Sequence, residues 1–348
     1  LNGGSGNDNF RGVAGAAVGA QEQTTFNSSD IIDGGAGQQD VLLLNLVGNY
    51  GGGARVKNIE TLQLGTNVTP VGGVNFDYNV NAGFNEISEV TKVVADQINA
   101  GEQLNVSNVV RTVAGDAKVL PTLSWENDSN TAAAGIVSYG YRAAEITGTT
   151  DAQNIQLKSV NNGDLRIGAG IETFNLKSMG TERVTLANRD AGVTTIDTGV
   201  NNVAADLASS GALTKVIITT ETATAEVGKA AGIIATGADQ GLTDRIDAGT
   251  TDLGRAAGAA ASASNLLSVG SRVTEVDASA ATANVNVRFT LKTDSTATDV
   301  TFKGGEGSDY AEFQLGKVTA TGGKGADTFA FLNNTFLNSS FGSTDSIQ

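Results

Sequence analysis

The chain has 348 residues, 45 of them glycine and 2 proline, with 37 acidic against 22 basic side chains and a net charge of −15. It contains neither histidine nor cysteine, which excludes a Ser-His-Asp triad, an H-E-x-x-H zinc site and any disulfide, and no G-x-S-x-G elbow occurs either. The acidic balance opposes nucleic-acid binding, no run of 18 apolar residues offers a membrane span, and the wealth of Gly, Ala, Thr, Val and Asn favours short strands and tight turns over helices.

The first predicted element is a glycine turn. Gly3-Gly4-Ser5-Gly6-Asn7-Asp8-Asn9-Phe10 matches the nonapeptide G-G-x-G-x-D-x-U-x, in which U is a large apolar residue. Two nonapeptides make one coil of a parallel β-roll, so a step of about 18 residues stacks each aspartate above its equivalent. The glycines allow φ > 0 and bring carbonyls close together, the aspartate adds charge, and a hard cation such as Ca²⁺ takes several oxygens at once. Ser29-Asp30-Ile31-Ile32-Asp33 with Gly34-Gly35-Ala36-Gly37 reads as the next coil, Asp30 following Asp8 after one coil plus an insertion around Gly12 to Gly19. The turn at Gly34 carries one extra residue before Asp40.

A weaker repeat follows. Asn58-Ile59-Glu60-Thr61-Leu62-Gln63-Leu64 and Gly170-Ile171-Glu172-Thr173-Phe174-Asn175-Leu176 share an I-E-T strand whose apolar residues alternate. Glu60 and Glu172 suit a structural role at a strand end, with calcium or interface contact as the alternative. Phe84 to Asn105 is β-branched and nearly alternating, so strands are expected there rather than a helix. Pro121 to Ala134 reads as a loop or local excursion, with Trp125, the one tryptophan, as a packing anchor in preference to a binding residue. Val193 to Asp197 and Val273 to Asp277 form another pair, with Asp244 to Gly249 a looser relative. Ala256 to Asn265 is a short helix or a second excursion. Strand-plus-turn units without large helices imply the rungs of a parallel β-solenoid.

The glycine turns return near the end. Gly304-Gly305-Glu306-Gly307-Ser308-Asp309 and Gly322-Gly323-Lys324-Gly325-Ala326-Asp327 are intact, and Asp309, Asp327 and Asp345 are spaced 18 residues apart. Asp8, Asp30, Asp309, Asp327 and Asp345 are therefore the expected side-chain ligands of Ca²⁺, with Asp40 as a further member. Carbonyls of the turns at Gly3, Gly4 and Gly6, at Gly34, Gly35 and Gly37, at Gly304, Gly305 and Gly307, and at Gly322, Gly323 and Gly325 complete the shells. At U, Phe329 and Ile347 should point inward, with Ala311 a weak version of the same position. Phe313 to Thr321 has no aspartate, so calcium is expected on one edge of the coil only.

These turns resemble the RTX calcium-binding repeats of secreted bacterial proteins. The block Gly34 to Leu44, followed by the I-E-T strand at Asn58, resembles the calcium-dependent surface-layer proteins and large RTX adhesins of Gram-negative bacteria. The family's long uninterrupted runs of nonapeptides are missing here. The resemblance and the repeats together predict an all-β chain, a parallel β-solenoid or β-roll with RTX calcium-binding turns and loop excursions. Its expected parts are an RTX-type segment at 1–64, a solenoid body at 65–300 and a second RTX-type segment at 301–348. The implied function is a non-enzymatic structural protein that self-assembles with calcium into an extracellular S-layer sheet or filament. An RTX adhesin spacer presenting a binding tip is the alternative, and the stalk of an enzyme whose catalytic domain lies elsewhere comes third. The partner is the chain itself, with cell-surface polysaccharide reached through other regions. The chain begins and ends inside repeats, so an excised portion is expected, with a type I secretion signal beyond Gln348.

Overall fold

Alternating apolar residues dictate half-buried strands, and every second side chain of Val41–Leu46, Thr61–Thr66 and Thr173–Met179 is buried. The computed structural model describes residues 1–15, 24–66, 73–79, 86–98, 102–114, 117–128, 135–168, 170–179, 185–186, 194–197, 213–221, 267–269, 273–289, 299–313, 316–331 and 346–347. They are nearly all β, with one short 3-10 turn at Ala143–Glu145. None of their helices is long and apolar enough to cross a membrane.

The strands form two long parallel ladders. One contains Asn9–Ala14, Val41–Leu46, Thr61–Thr66, Lys92–Asp96, Thr122–Asp128, the start of Ala152–Ile167, Thr173–Met179, Lys215–Thr220, Glu275–Ala280, Val300–Lys303, Val318–Thr321 and Ser346–Ile347. The other contains Val74–Asp77, Gln103–Val109, Gly135–Tyr141, the end of Ala152–Ile167, Thr185–Leu186 with Thr194–Asp197, Leu267–Val269, Asn286–Phe289, Tyr310–Phe313 and Thr328–Phe331. Ile31–Asp33 and Arg55–Lys57 make a short parallel pair of their own. The one antiparallel pairing among the described residues is the hairpin of Thr112–Ala114 with Ala117–Val119. The first ladder continues across both expected segment boundaries, through Thr61–Thr66 and again through Val300–Lys303.

Parallel neighbours need a long crossover, and the crossovers here vary widely. Stacked positions lie 32 residues apart from Asp8 to Asp40, 20 from Asp40 to Glu60, 60 from Thr214 to Thr274 and 18 from Asp309 to Asp327. In-register pairing nonetheless stacks like on like. Leu42, Leu62, Val93, Leu123, Ile155, Leu176 and Ile218 form one column, buried throughout. Phe76, Val106, Tyr139 and Ile167 form a matching column on the second ladder, and both columns belong to one apolar core. Aromatic rings fill the core near its two ends. Tyr50 lies between Phe26 and Phe76 at centroid distances of 5.1 and 5.0 Å, and Phe313 lies 5.4 Å from both Phe289 and Phe331.

Several sequence expectations meet a different outcome. The predicted loop at Pro121 to Ala134 is in its described part a strand, Thr122–Asp128. Trp125 is fully buried in it and stacks between Ala95 and Leu157, so the small Ala95 makes room for the indole. Turn-forming Asn127 and Asp128 suggested the loop, but inward burial of Leu123 and Trp125 decides the conformation. Strands do form in the Phe84 to Asn105 stretch, as Lys92–Asp96 and the start of Gln103–Val109. The sequence pair at Val193 and Val273 does not share a place in the stack: Thr194–Asp197 belongs to the second ladder and Glu275–Ala280 to the first. The segments at Asp244 and Ala256 lie outside the described residues.

Trp125 gives the core a direct readout. Native protein should show the blue emission of a dry indole, moving red on unfolding. Trp125→Ala should lower the unfolding free energy in guanidinium by about 3–5 kcal/mol; a loss below about 1 kcal/mol would contradict the burial.

Candidate functional site: the glycine turns

Apart from Gly4 and Gly6, beside which a Cβ would meet nothing within 4 Å, each glycine of G-G-x-G-x-D answers a separate steric demand. At the first glycine the turn's own carboxylate folds back, so an added Cβ would lie 2.6 Å from Asp8 Oδ2 at Gly3, 2.8 Å from Asp40 Oδ2 at Gly34, 2.4 Å from Asp309 Oδ2 at Gly304 and 2.1 Å from Asp327 Oδ2 at Gly322. The second glycine of the outer turns has positive φ, +94° at Gly35 and +92° at Gly323, and a Cβ there would lie 2.2 Å from the carbonyl oxygens of Gly4 and Gly305. The third makes the same approach one step on, Gly37 over the Gly6 carbonyl and Gly325 over that of Gly307. Two pairs of turns, built from opposite ends of the sequence, therefore share one geometry.

Hydrogen bonds repeat as closely. The Gly4 and Gly305 amides donate to Asp8 Oδ2 and Asp309 Oδ2 at 2.8 and 2.7 Å. The Asp8 amide donates to Asp40 Oδ1 at 2.6 Å, and the Asp309 amide to Asp327 Oδ1 at 2.9 Å. Ala36 and Lys324 donate across the rungs to the carbonyls of Gly4 and Gly305. The 18-residue step from Asp309 to Asp327 is thus realised, with Ala311 aligned on Phe329. Ala311 is fully buried, while Phe329 is half-buried against the core.

One expected ligand stands elsewhere. The aspartate stacked on Asp8 is Asp40, because Asn9 aligns with Val41 and the extra residue is absorbed after Gly37. Asp30 instead closes a local turn, accepting the Asn27 amide at 2.7 Å, and its carbonyl accepts the Arg55 amide. Asp345 lies outside the described residues. Ser346 and Ile347, which follow it, align with Thr319 and Ala320 of the first ladder rather than with Thr328 and Phe329, and Ile347 is exposed.

The stack also holds positions that motif reading missed. Below Gly304 to Asp309 lies a turn without glycine, in which Ala281 and Ala283 sit under Gly305 and Gly307 and the Val285 amide donates to Asp309 Oδ1 at 2.8 Å. Asn284, Ser308 and Ala326 continue the column: Ser308 N–H donates to Asn284 Oδ1 and Ala326 N–H to Ser308 Oγ. Alanine in place of glycine and valine in place of aspartate removed every signal but position. The I-E-T repeat has a structural account as well. Asn58 (φ 51°) and Gly170 (φ 97°) occupy the left-handed region, the following Ile59 and Ile171 are buried, and Glu60 and Glu172 each accept an amide of the neighbouring rung, from Asp40 and Asp151, at 2.7 Å. Asp151 could have been found by its spacing before Glu172, which nearly equals that of Asp40 before Glu60.

The electrostatics are those of a stack of like charges. Asp309 is 1 % exposed, and burial, together with the charge of Asp327, pushes its carboxyl up to about 6 against the opposing bonds from Gly305 and Val285. At the exposed corner of the N-terminal turns, hydrogen bonds from Lys57 and Asn58 hold Asp33 down to about 2. Among the described residues no three acidic side chains converge, so a cation at these turns would draw most of its oxygens from carbonyls. One observation fits a hard cation: Asp40 Oδ2 is buried without a hydrogen-bond partner. Comparison with protein families, curated proteins and solved structures finds no match to this chain.

Because the folded value of Asp309 lies above the ordinary 3.8, folding favours its neutral form. Its contribution to stability is fully present below about pH 4 and is lost as pH rises through about 6. In chelator, ¹³C NMR of the labelled carboxyl should show an inflection near 6; one near 4 would contradict the burial.

Proposed function

We propose that this chain is a non-enzymatic structural protein, a parallel β-solenoid whose glycine turns bind Ca²⁺ and which assembles with copies of itself into an extracellular sheet or filament. One observation carries the reading: the same turn geometry, carboxylate over first glycine and carbonyl over second and third, is built twice from segments about 300 residues apart in sequence, which far exceeds what a hairpin turn requires. The expected ligands are the carboxylates of Asp8, Asp40, Asp309 and Asp327 with carbonyls of the adjoining turns. The resemblance of these turns to RTX repeats and surface-layer proteins supports the extracellular setting and type I secretion.

Calcium couples to folding because the stacked carboxylates repel and the glycines lose much backbone entropy on ordering. Extracellular calcium modules bind with dissociation constants of about 10⁻⁴ to 10⁻³ M. A site at about ten times its dissociation constant adds only about 1.4 kcal/mol, so sites must act together to make folding outside the cell switch-like. The repeated ladders and the lack of histidine and cysteine favour a scaffold over a catalyst.

Negative-stain imaging in millimolar calcium and again in excess chelator tests the assembly. Ordered sheets or filaments that disappear on chelation are expected. Dispersed rigid rods in calcium would overturn self-assembly and favour an adhesin spacer.

A further inference from the structure

Carboxylates in the middle of the stack are balanced from within the protein. Asp151 pairs with the Arg111 guanidinium and accepts the Gly148 amide at 3.1 Å, while the Arg111 amide donates to Glu145 at 3.1 Å. Lys92 reaches one oxygen of Glu126 at 2.9 Å, and Lys158 lies 3.8 Å from the other. Against the cost of burial, hydrogen bonds from Lys92 and Ser124 hold the Glu126 carboxyl below the usual carboxylate range. Asp96 accepts the side-chain amides of Gln63 and Asn127 at 2.7 and 2.8 Å. At the glycine turns that balance is missing: burial pushes the Asp309 carboxyl up to about 6, and Asp40 Oδ2 is buried without a partner.

Backbone and packing differ in the same sense. Gln97, Asn108 and Asn127 take the left-handed region at φ 55°, 56° and 59° without being glycine, so these corners lose less chain entropy on folding than glycine turns do. Gln103–Val109, Thr122–Asp128, Gly135–Tyr141 and Thr173–Met179 are seven residues long, and Ala152–Ile167 runs unbroken from one ladder into the other. Val300–Lys303, Tyr310–Phe313, Val318–Thr321 and Thr328–Phe331 have four residues each. The bulky Trp125, Tyr139 and Phe174 are fully buried in the middle rungs. The stability of a chain of stacked repeats is roughly a sum of local terms, so rungs this unlike can open separately.

We propose that residues 92–179 form a middle segment whose stability is independent of divalent cations, and that the rungs carrying glycine turns open before it when such cations are removed. Arg111, Lys92 and Lys158 are fixed counter-charges of the middle, whereas the turns toward either end draw theirs from solution. The inference rests on the calcium reading for those turns alone. Calcium then sets how much of the solenoid stays closed around a middle that is already folded.

The test is urea unfolding of the whole chain in millimolar calcium and in chelator, followed by Trp125 emission and by far-ultraviolet circular dichroism. Trp125 reports the middle segment, and dichroism reports all strands. In chelator the dichroism should fall before the emission moves; calcium should raise the early dichroism phase and leave the Trp125 midpoint in place. Coincident curves in chelator, or a Trp125 midpoint that calcium raises as far as the dichroism, would overturn the independent middle and leave calcium binding at the turns intact. If calcium moves neither curve, both readings fail. Arg111→Met removes the counter-charge of Asp151 and should lower the Trp125 midpoint by about 1 M urea in calcium and chelator alike; a loss that calcium restores would count against the proposal. Lys92→Gln, at a more exposed pair, serves if Arg111→Met does not fold, with a smaller shift that is again the same in both conditions.

Discussion

Parallel in-register stacking is the constraint from which the rest follows. Whatever a rung places at one position, the next rung places above it. On the inner faces this is favourable and gives the columns of Leu, Val, Ile and Phe. At the edges it is costly, because a turn that carries an aspartate meets another aspartate, as Asp8 meets Asp40 and Asp309 meets Asp327. The chain answers that repulsion with a recurring set of devices. Amides of one rung donate to carboxylates of the next, left-handed Asn58, Asn108 and Asn127 donate side-chain N–H groups to Asp33, Asp77 and Asp96, and lysines bridge columns, Lys303 reaching both Glu275 and Asp277.

These devices leave a remainder. Asp309 stays buried with its carboxyl held high, and Asp40 keeps an oxygen with no partner. Both lie at glycine turns, where the absence of side chains lets the turn backbone and the carbonyls of the neighbouring rung approach the carboxylate closely. Under the calcium reading proposed above, the counter-charge missing at these two turns is supplied from solution.

The sequence disclosed what is local and hid what depends on crossover length. The turns at Gly304 and Gly322 were legible because their glycines lie against the turn's own carboxylate or the backbone of the neighbouring rung, and the turn at Gly3 because it repeats the same motif. The I-E-T strands were legible because left-handed residue, buried Ile and accepting Glu lie side by side in sequence. The partner of Asp8 was not, since a fixed coil points to Asp30 and the 32-residue crossover places Asp40 there. Ser346 and Ile347 likewise depart from the 18-residue series that runs through Asp309 and Asp327. The turn at Ala281 to Val285 is invisible to motif reading, and Trp125 was hidden behind an Asn-Asp pair that ends its strand.

The central claim is that cations close the turn seams and lock the stack from its glycine corners. Amide hydrogen exchange with and without millimolar calcium addresses it most directly, because cross-rung donors at Ala36, Glu306 and Lys324 lie in the seams while strand amides such as Leu62 lie mid-ladder. The account predicts that the seam amides gain about a hundredfold protection in calcium, on the order of 3 kcal/mol, and that they gain it together with the strands stacked on them. Exchange at Ala36, Glu306 and Lys324 that calcium leaves unchanged would contradict it.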